Sequence, residues 1–150
     1  MDRFVIDHAA PVRTVAHELI PASRERVWHT LTDFERWPAW NDTIRGVRQI
    51  GPLAHGSVLI WTDAHGLTLI AQIARLEPCA CIGWIGQAGE VQAGYLLTLI
   101  EKGDATLASV EASVASGLAR QLPGLTERAL NAALRRGLAA LGRESVRRSA

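Results

Sequence analysis

Residues 43–115 form a succession of strand-like segments separated only by short turns. The segments are rich in β-branched and apolar residues, and glycine marks the turns "AHG" (64–66) and "KGD" (102–104). Strands joined by such short turns run antiparallel, because a parallel connection needs a dozen or more residues. With one more predicted strand at 12–20, the sequence predicts a seven-stranded, strongly curled sheet. The later segments are residues 43–50, 57–63, 67–76, 79–85, 91–101 and 105–115.

The end of the chain carries a long helical pattern. From Leu125 onward, leucines recur at positions 130, 134, 138 and 141, while Glu and Arg residues occupy the opposite side. This spacing predicts an amphipathic helix of about 20 residues with a broad apolar stripe. Such a helix spans roughly 30 Å at 1.5 Å per residue. It is therefore long enough to lie across the concave side of the predicted sheet.

Two short helical segments are predicted between the first strand and the rest of the sheet. In "PASRERVWHTLTD" (21–33), Ser23 is a candidate N-cap for a helix of about three turns. In "FERWPAWN" (34–41), Pro38 interrupts the helix and leaves a second short turn that ends near Trp40 and Asn41. Trp40 is expected to pack as a structural residue beside the long helix, and residues up to Pro11 are expected to form a loose lead-in.

Composition excludes several classes of protein. The 150 residues favour one domain over residues 1–150, and 48% hydrophobic content is enough for a sizeable core. A net charge of +1 argues against nucleic acid as a partner. No apolar run approaches the roughly 20 residues that a transmembrane helix needs, and no signal peptide is visible, so we expect no integral membrane segment and a cytoplasmic location.

Metal and cofactor motifs are missing from the sequence pattern. The histidines show no metal-ligand spacing, and the glycines of "GQAGEVQAG" (86–94) indicate a turn instead of a phosphate loop. Cys79 and Cys81 are too close for an unstrained disulfide and too few for a zinc site, so they are interpreted as small buried residues. The sequence therefore predicts no metal and no cofactor.

Three segments resemble the polyketide cyclase/dehydrase branch of the START-like (SRPBCC) superfamily. They are "IPASRERVWHTLTDFERWPAWN" (20–41), "GPLAHGSVL" (51–59) and "YLLTLIEKGDATL" (95–107). The resemblance covers about residues 12–145 and implies the α+β helix-grip fold, in which the sheet wraps around a long C-terminal helix. It further implies an apolar cavity between sheet and helix. Members of this superfamily bind lipid-like or aromatic molecules, cyclise polyketides or act as co-chaperones.

Strand alternation and the resemblance together predict an inner face that binds an apolar ligand. Its small residues leave room for a cavity, although a completely filled core would show the same pattern. Trp37 is expected at the mouth, and Leu130 and Leu134 are expected to contribute from the helix. The sheet residues predicted to contact ligand are Leu59, Trp61, Leu69, Ala71, Ile73, Ile82, Trp84, Tyr95, Leu97, Leu99, Ala108 and Val110.

The sequence assigns no catalytic residue. A cyclase needs an internal polar group to polarise a carbonyl or move a proton. The candidates are Tyr95, on the inward set, and Glu18, if its strand keeps the phase of Ile20. Three functions remain open: binding of a small apolar molecule, a cyclase/aromatase-type enzyme, or a protein-interaction module that uses the basic C-terminus (Arg143, Arg147, Arg148). Both a monomer and a homodimer are compatible with the sequence.

Overall fold

The computed structural model describes residues 5–149 and contains a seven-stranded antiparallel sheet. The strand order is β1-β7-β6-β5-β4-β3-β2, so the first strand pairs with the last and β1 and β2 form the edges. This confirms the predicted α+β helix-grip fold. The strands are β1 Val12–Ile20, β2 Ile44–Ile50, β3 Val58–Asp63, β4 Thr68–Glu77, β5 Cys81–Ala88, β6 Val91–Lys102 and β7 Ala105–Ala115.

Short helices follow β1, as predicted. Helix α1 spans Arg24–Thr32, and the Ser23 hydroxyl caps it by accepting a hydrogen bond from the Arg26 N–H at 3.1 Å. A 3₁₀ turn at Phe34–Arg36 leads into the single-turn helix α2 at Trp37–Trp40. Pro38 is accommodated in the first turn of α2, where a helix makes no use of the missing N–H.

The C-terminal helical region is longer than the sequence pattern predicts. Helix α3 spans Gly117–Gln121 and was not predicted; its Ser116 cap accepts a hydrogen bond from the Ala119 N–H. Helix α4 then spans Pro123–Ser149, which is 27 residues. The prediction began at Leu125 because the leucine periodicity starts there, whereas the proline at the first position already suits a helix N-terminus.

Helix α4 is attached along the edge strand β1. In its C-terminal half, Gly142 has no side chain, and the helix therefore approaches Ile20 of β1 closely. In its N-terminal half, the Asn131 amide donates hydrogen bonds to the Thr14 hydroxyl at 2.8 Å and the Val15 carbonyl at 3.0 Å. These contacts hold α4 along the β1 side of the concave face. The part of the concave face that β3–β6 form is therefore available to other residues.

An ion-pair cluster fixes the end of α4 to the first helix. The Glu144 carboxylate accepts hydrogen bonds from Arg147 at 2.6 Å and from Arg148 at 3.1 Å, and Arg148 also reaches Asp33 at 3.4 Å. The hydrogen bond from Arg147 and the second arginine lower the pKa of Glu144 to about 2, against the opposing effect of burial.

The expectation of a loose lead-in before Pro11 is wrong for residues 5–7, while residues 1–4 lie outside the described residues. Ile6 is only 4% exposed, and the Asp7 N–H donates to the Ser113 hydroxyl at 3.0 Å. This segment crosses the convex face of the sheet, where Gly94 leaves space for the Val5 carbonyl. Ser113 lies beneath this segment and is consequently buried, although strand alternation places it on the face opposite the apolar core residues of β7.

Candidate ligand cavity

A cavity of about 760 Å³ lies between the concave face of the sheet and α4. Its volume falls within the ~300–1,000 Å³ range of small-molecule sites. Most of the wall is apolar, and both the strands and the helix contribute to it. The principal sheet residues are Trp61, Leu69, Trp84, Tyr95, Leu97 and Val110, and the principal helix residues are Leu130, Leu134, Leu138 and Leu141.

Packing of the α1–α2 connection determines which end of the concave face stays open. Phe34, in the 3₁₀ turn, is 1% exposed, and its ring meets Trp61 and Trp84 edge-on at centroid distances of 5.5 and 5.9 Å. Together with Leu31 and Val27 of α1 it fills one end of the space under the sheet. At the other end the walls carry small residues, among them Ala93, Ala129, Ala133 and Gly137, and the cavity remains.

A continuous row of aromatic rings forms one wall. Trp37 contacts Trp40 at a centroid distance of 5.1 Å and Trp61 at 4.9 Å. Trp61 stacks on Trp84 at 5.2 Å, and Trp84 lies 5.9 Å from Tyr95. The Trp37 indole is fixed in place because its N–H donates to the Leu31 carbonyl at 2.8 Å. Such rings offer large, rigid apolar surfaces on which a flat molecule can stack.

The structure places most of the sequence-predicted binding residues in this wall and the others in solid core. In the wall are Trp37, Trp61, Leu69, Trp84, Tyr95, Leu97, Val110, Leu130 and Leu134. In the core are Leu59, Ala71, Ile73, Ile82, Leu99 and Ala108. The second group shares the inward face of the strands and belongs to one buried core cluster with Phe34 and with Val27 and Leu31 of α1. Ligand contact of these six residues stays a prediction.

Several cavity residues were not predicted from the sequence. Trp40, expected to have only a structural role, lines the cavity together with the buried Asn41. Thr43 and Asp63 join them from the start of β2 and the end of β3. The "WPAWN" motif drew attention to Trp40 and Asn41. Thr43 and Asp63 line the cavity because of the way the chain folds around the β3–β4 turn, and the sequence pattern contains no signal for that fold.

Tyr95 presents a free hydroxyl group to the cavity. It is half-buried, and within residues 5–149 its hydroxyl makes no hydrogen bond. Burial raises the pKa of Tyr95, and the nearby carboxylate of Asp63 raises it further. The phenol is therefore protonated near neutral pH and acts as a hydrogen-bond donor.

Glu18, the other candidate for a catalytic group, lies outside the cavity. Its side chain is half-buried next to Gly142 of α4, and it is not one of the residues of the cavity wall. Tyr95 and Glu18 therefore do not form a common site.

The mouth of the cavity opens beside the β3–β4 turn and the N-terminal half of α4. The exposed residues Ala64, His65 and Leu67 lie on one side of it. On the other side, Arg136 of α4 pairs with Asp42 at 3.2 Å and links the helix to the loop that precedes β2.

Metal-ligating side chains, thiols and apolar helices are the remaining candidate features of residues 5–149. In the part of the chain that the structure describes, no group of three or more His, Cys, Asp or Glu side chains is arranged to hold a metal ion. Cys79 and Cys81 are free thiols, and burial raises the pKa of Cys81. Between residues 5 and 149, no helix combines the length and the apolar character that crossing a membrane requires.

The curled sheet, the long helix along its edge and the apolar cavity between them define a helix-grip protein of the START-like class. The chain belongs to the polyketide cyclase/dehydrase and lipid transport family, whose model matches residues 11–146. This confirms the resemblance drawn from the sequence. The family and the fold indicate hydrophobic ligands as the class of molecule bound. No curated protein matches the sequence.

Solved structures support the fold at low sequence identity. A hypothetical protein from Helicobacter pylori is 14% identical, with a TM-score of 0.82 over 93% of this chain and 91% of that one. A START superfamily protein from Mycobacterium smegmatis is 21% identical, with a TM-score of 0.65 over 82% and 94% of the two chains. Ara h 8.0201 is 9% identical, with a TM-score of 0.71 over 89% and 97%. At these identities the similarity establishes the fold alone.

Proposed function

We propose that this protein binds an apolar, lipid-like or aromatic small molecule in the cavity between the sheet and α4. The observation that carries the proposal is the 760 Å³ cavity beside a continuous aromatic wall. Apolar burial supplies the affinity at about 25 cal/mol per Å², less the loss of translational and rotational freedom. The rigid indoles add stacking contacts for a flat ligand.

The test is a titration followed by tryptophan emission, because Trp37, Trp61 and Trp84 all lie in the cavity wall. The probes are fluorene and the uncharged dye N-phenyl-1-naphthylamine. Ala133→Trp introduces an indole on the cavity side of α4 and should abolish binding by filling the space. Arg135→Trp adds the same group to an exposed position of the same helix outside the cavity wall, and should bind as the wild type does. Equal binding by both variants would place the ligand elsewhere.

An enzymatic role in polyketide cyclisation is the second candidate, and the free hydroxyl of Tyr95 is the observation that favours it. A protonated phenol in an apolar cavity can donate a hydrogen bond to a substrate carbonyl as negative charge develops on its oxygen. Tyr95→Phe should then remove turnover of a poly-β-ketone substrate while the protein stays folded. Unchanged turnover excludes Tyr95 from the reaction.

A co-chaperone-like role has less support from the basic C-terminus. Arg147 and Arg148 both pair with Glu144, and Arg148 also pairs with Asp33, so much of their charge is neutralised within the protein. Arg143 is exposed. Charge reversal at Arg143 should therefore leave the binding of small apolar molecules unchanged. The cytoplasmic location and the monomeric or homodimeric state stay predictions.

A further inference from the structure

The wall of the cavity contains hydrogen-bond donors that lack acceptors. Asn41 is only 3% exposed, and its Oδ1 accepts from the Thr43 N–H at 3.0 Å and from the Thr43 hydroxyl at 2.6 Å. A backbone N–H can only donate, so the atom that faces Thr43 must be the amide oxygen. The amide nitrogen of Asn41 is thereby directed away from Thr43.

The Asn41 nitrogen faces α4 at a position without a side chain. A Cβ at Gly137 would lie 3.5 Å from Nδ2, so this glycine leaves the amide uncovered on the helix side. Among residues 5–149, Nδ2 has no hydrogen-bond partner. Because Nδ2 is not among the unpaired side-chain atoms that are closed off from solvent, it is open to the cavity, and a bound molecule with an acceptor can give it the hydrogen bond that the described residues do not supply.

Three other residues of the cavity wall also carry a hydrogen-bond donor without an acceptor. The Tyr95 hydroxyl makes no hydrogen bond with any described residue. The indole N–H groups of Trp40 and Trp61 also have no acceptor in the described chain, although both atoms are closed off from solvent. Among these four side chains, the donors that reach the open space are therefore Asn41 Nδ2 and Tyr95 Oη.

The charges around the cavity disfavour an anionic ligand. Arg136 is the arginine of the wall, and it is already paired with Asp42 at the mouth. Asp63 contributes a carboxylate, and its Oδ1 accepts from the backbone N–H groups of His65 and Leu67 at 2.9 Å. A fatty acid or another carboxylate would meet this negative charge and find no unpaired arginine or lysine among the described lining residues.

We propose that the ligand is an uncharged, flat molecule bearing carbonyl-type acceptor oxygens, oriented by hydrogen bonds from Asn41 Nδ2 and Tyr95 Oη. This inference rests on the proposed function and narrows its ligand class. The aromatic wall contacts the face of the ring system, while the two donors contact oxygens at its edge. Thr43 is the positioning residue, because its two donors hold the amide of Asn41 in one orientation.

The test uses three molecules with one ring skeleton: fluorene, 9-fluorenone and fluorene-9-carboxylate. They are titrated against the wild type and two near-isosteric variants. Tyr95→Phe removes the hydroxyl alone, and Asn41→Asp removes the donor but keeps the oxygen that Thr43 needs. Because 9-fluorenone has one acceptor oxygen, one variant or both should weaken it about three- to tenfold, as expected for one hydrogen bond, and both should leave fluorene within about twofold. The carboxylate should bind the wild type more weakly than the ketone.

Three outcomes would overturn the inference. If both variants bind 9-fluorenone and fluorene with the same ratio as the wild type, the donors do not contact the ligand, while the proposed function stands. If fluorene-9-carboxylate binds the wild type more tightly than 9-fluorenone, the selection against anions is wrong. If neither the three compounds nor N-phenyl-1-naphthylamine bind, the proposed function fails together with the inference. Circular dichroism of both variants confirms the fold, and Tyr95→Phe provides the test independently if Asn41→Asp is unfolded.

Discussion

Trp61 and Trp84 stack with ring centroids 5.2 Å apart and planes inclined by 23°, although they belong to β3 and β5, which are separated by β4. On the intervening strand β4, the small Ala71 lies between Leu69, which pairs with Trp61, and Ile73, which pairs with Trp84. Gly86 on β5 leaves space for the Leu69 side chain. Phe34 packs against the two indoles at the end of the concave face that core residues fill, and Trp37 contacts Trp61 on the side of the cavity mouth. The pair therefore joins the solid core to the cavity.

Removing Phe34 should be severely destabilising. Its ring is almost completely buried and touches three tryptophans. Phe34→Ala should lower the free energy of unfolding by about 3–5 kcal/mol, since the lost contacts and the new cavity act together. Urea denaturation measures the change, and His65→Ala, at the exposed mouth, is the control. A loss below about 1 kcal/mol would show that the neighbouring rings close the space.

Substitution at Gly94 should displace the N-terminal segment. A Cβ there would overlap the backbone carbonyl of Val5, and a backbone atom moves only with its whole segment. We expect Gly94→Ala to cost about 1–3 kcal/mol and to expose the amides of residues 5–7 to hydrogen exchange. Gly46→Ala, where no atom lies within 4 Å of the added carbon, is the matched control. Unchanged protection of residues 5–7 would contradict the prediction.

Gly137→Ala should stabilise the protein. The position is inside α4, and the added methyl would meet only the Asn41 amide, at an ordinary contact distance of 3.5 Å. A helix-interior alanine is favoured over glycine by up to about 1 kcal/mol. Thermal and urea unfolding measure the gain. At Gly142 the same change places the methyl 3.4 Å from the buried Ile20, so a smaller gain is expected there. Equal increases in the free energy of unfolding for Gly137→Ala and Gly142→Ala would argue against close packing of α4 on β1.

Stability should fall in acid through Glu144. Its pKa is lowered from 4.5 to about 2 in the folded protein, so the carboxylate stabilises the fold at pH values above its unfolded pKa. That contribution, on the order of 1 kcal/mol after allowing for solvent screening at the helix end, is lost as the pH falls from about 5 to 2. Urea unfolding at pH 7, 5 and 3 should show a shallower decline for Glu144→Gln than for the wild type.

The control for this pH series is Glu25→Gln. Glu25 is exposed and forms no ion pair with the residues that the structure describes. The free energy of unfolding of this variant should fall between pH 7 and pH 3 by the same amount as that of the wild type. If Glu144→Gln also matches it, the ion pairs with Arg147 and Arg148 do not persist in solution.

The ionisation of Tyr95 can be followed directly, because it is the only tyrosine in the chain. Burial and the charge of Asp63 raise its pKa above the usual value of 10.0. The tyrosinate absorbance near 295 nm should therefore appear at higher pH in the folded protein than in urea. Asp63→Asn should move the midpoint part of the way back, since burial is the larger cause. Circular dichroism at each pH confirms that the protein is still folded, and a midpoint at or below the value in urea would refute the buried position of the phenol.

Local patterns in the sequence determined the elements of this fold. Leucines at 130, 134, 138 and 141 specify a helix with one apolar side, and the "KGD" turn specifies the β6–β7 hairpin, in which Gly103 adopts a positive φ of 63°. The alternation along the strands, together with the family resemblance, also predicted the inward face. These features depend on neighbours within a few residues, and they can therefore be read without a tertiary structure.

Only the tertiary structure decided how the inward face is divided between core and cavity. Leu59 and Trp61 share one face of β3, yet Leu59 lies in solid core while Trp61 reaches the cavity, because Phe34 and α1 cover only one end. Likewise, "WPAWN" does not indicate that Thr43 would turn the Asn41 amide toward Gly137. Cavity and donor positions arise where segments distant in sequence meet, and the physical reason is that packing between such segments is not encoded in the periodicity of any one of them.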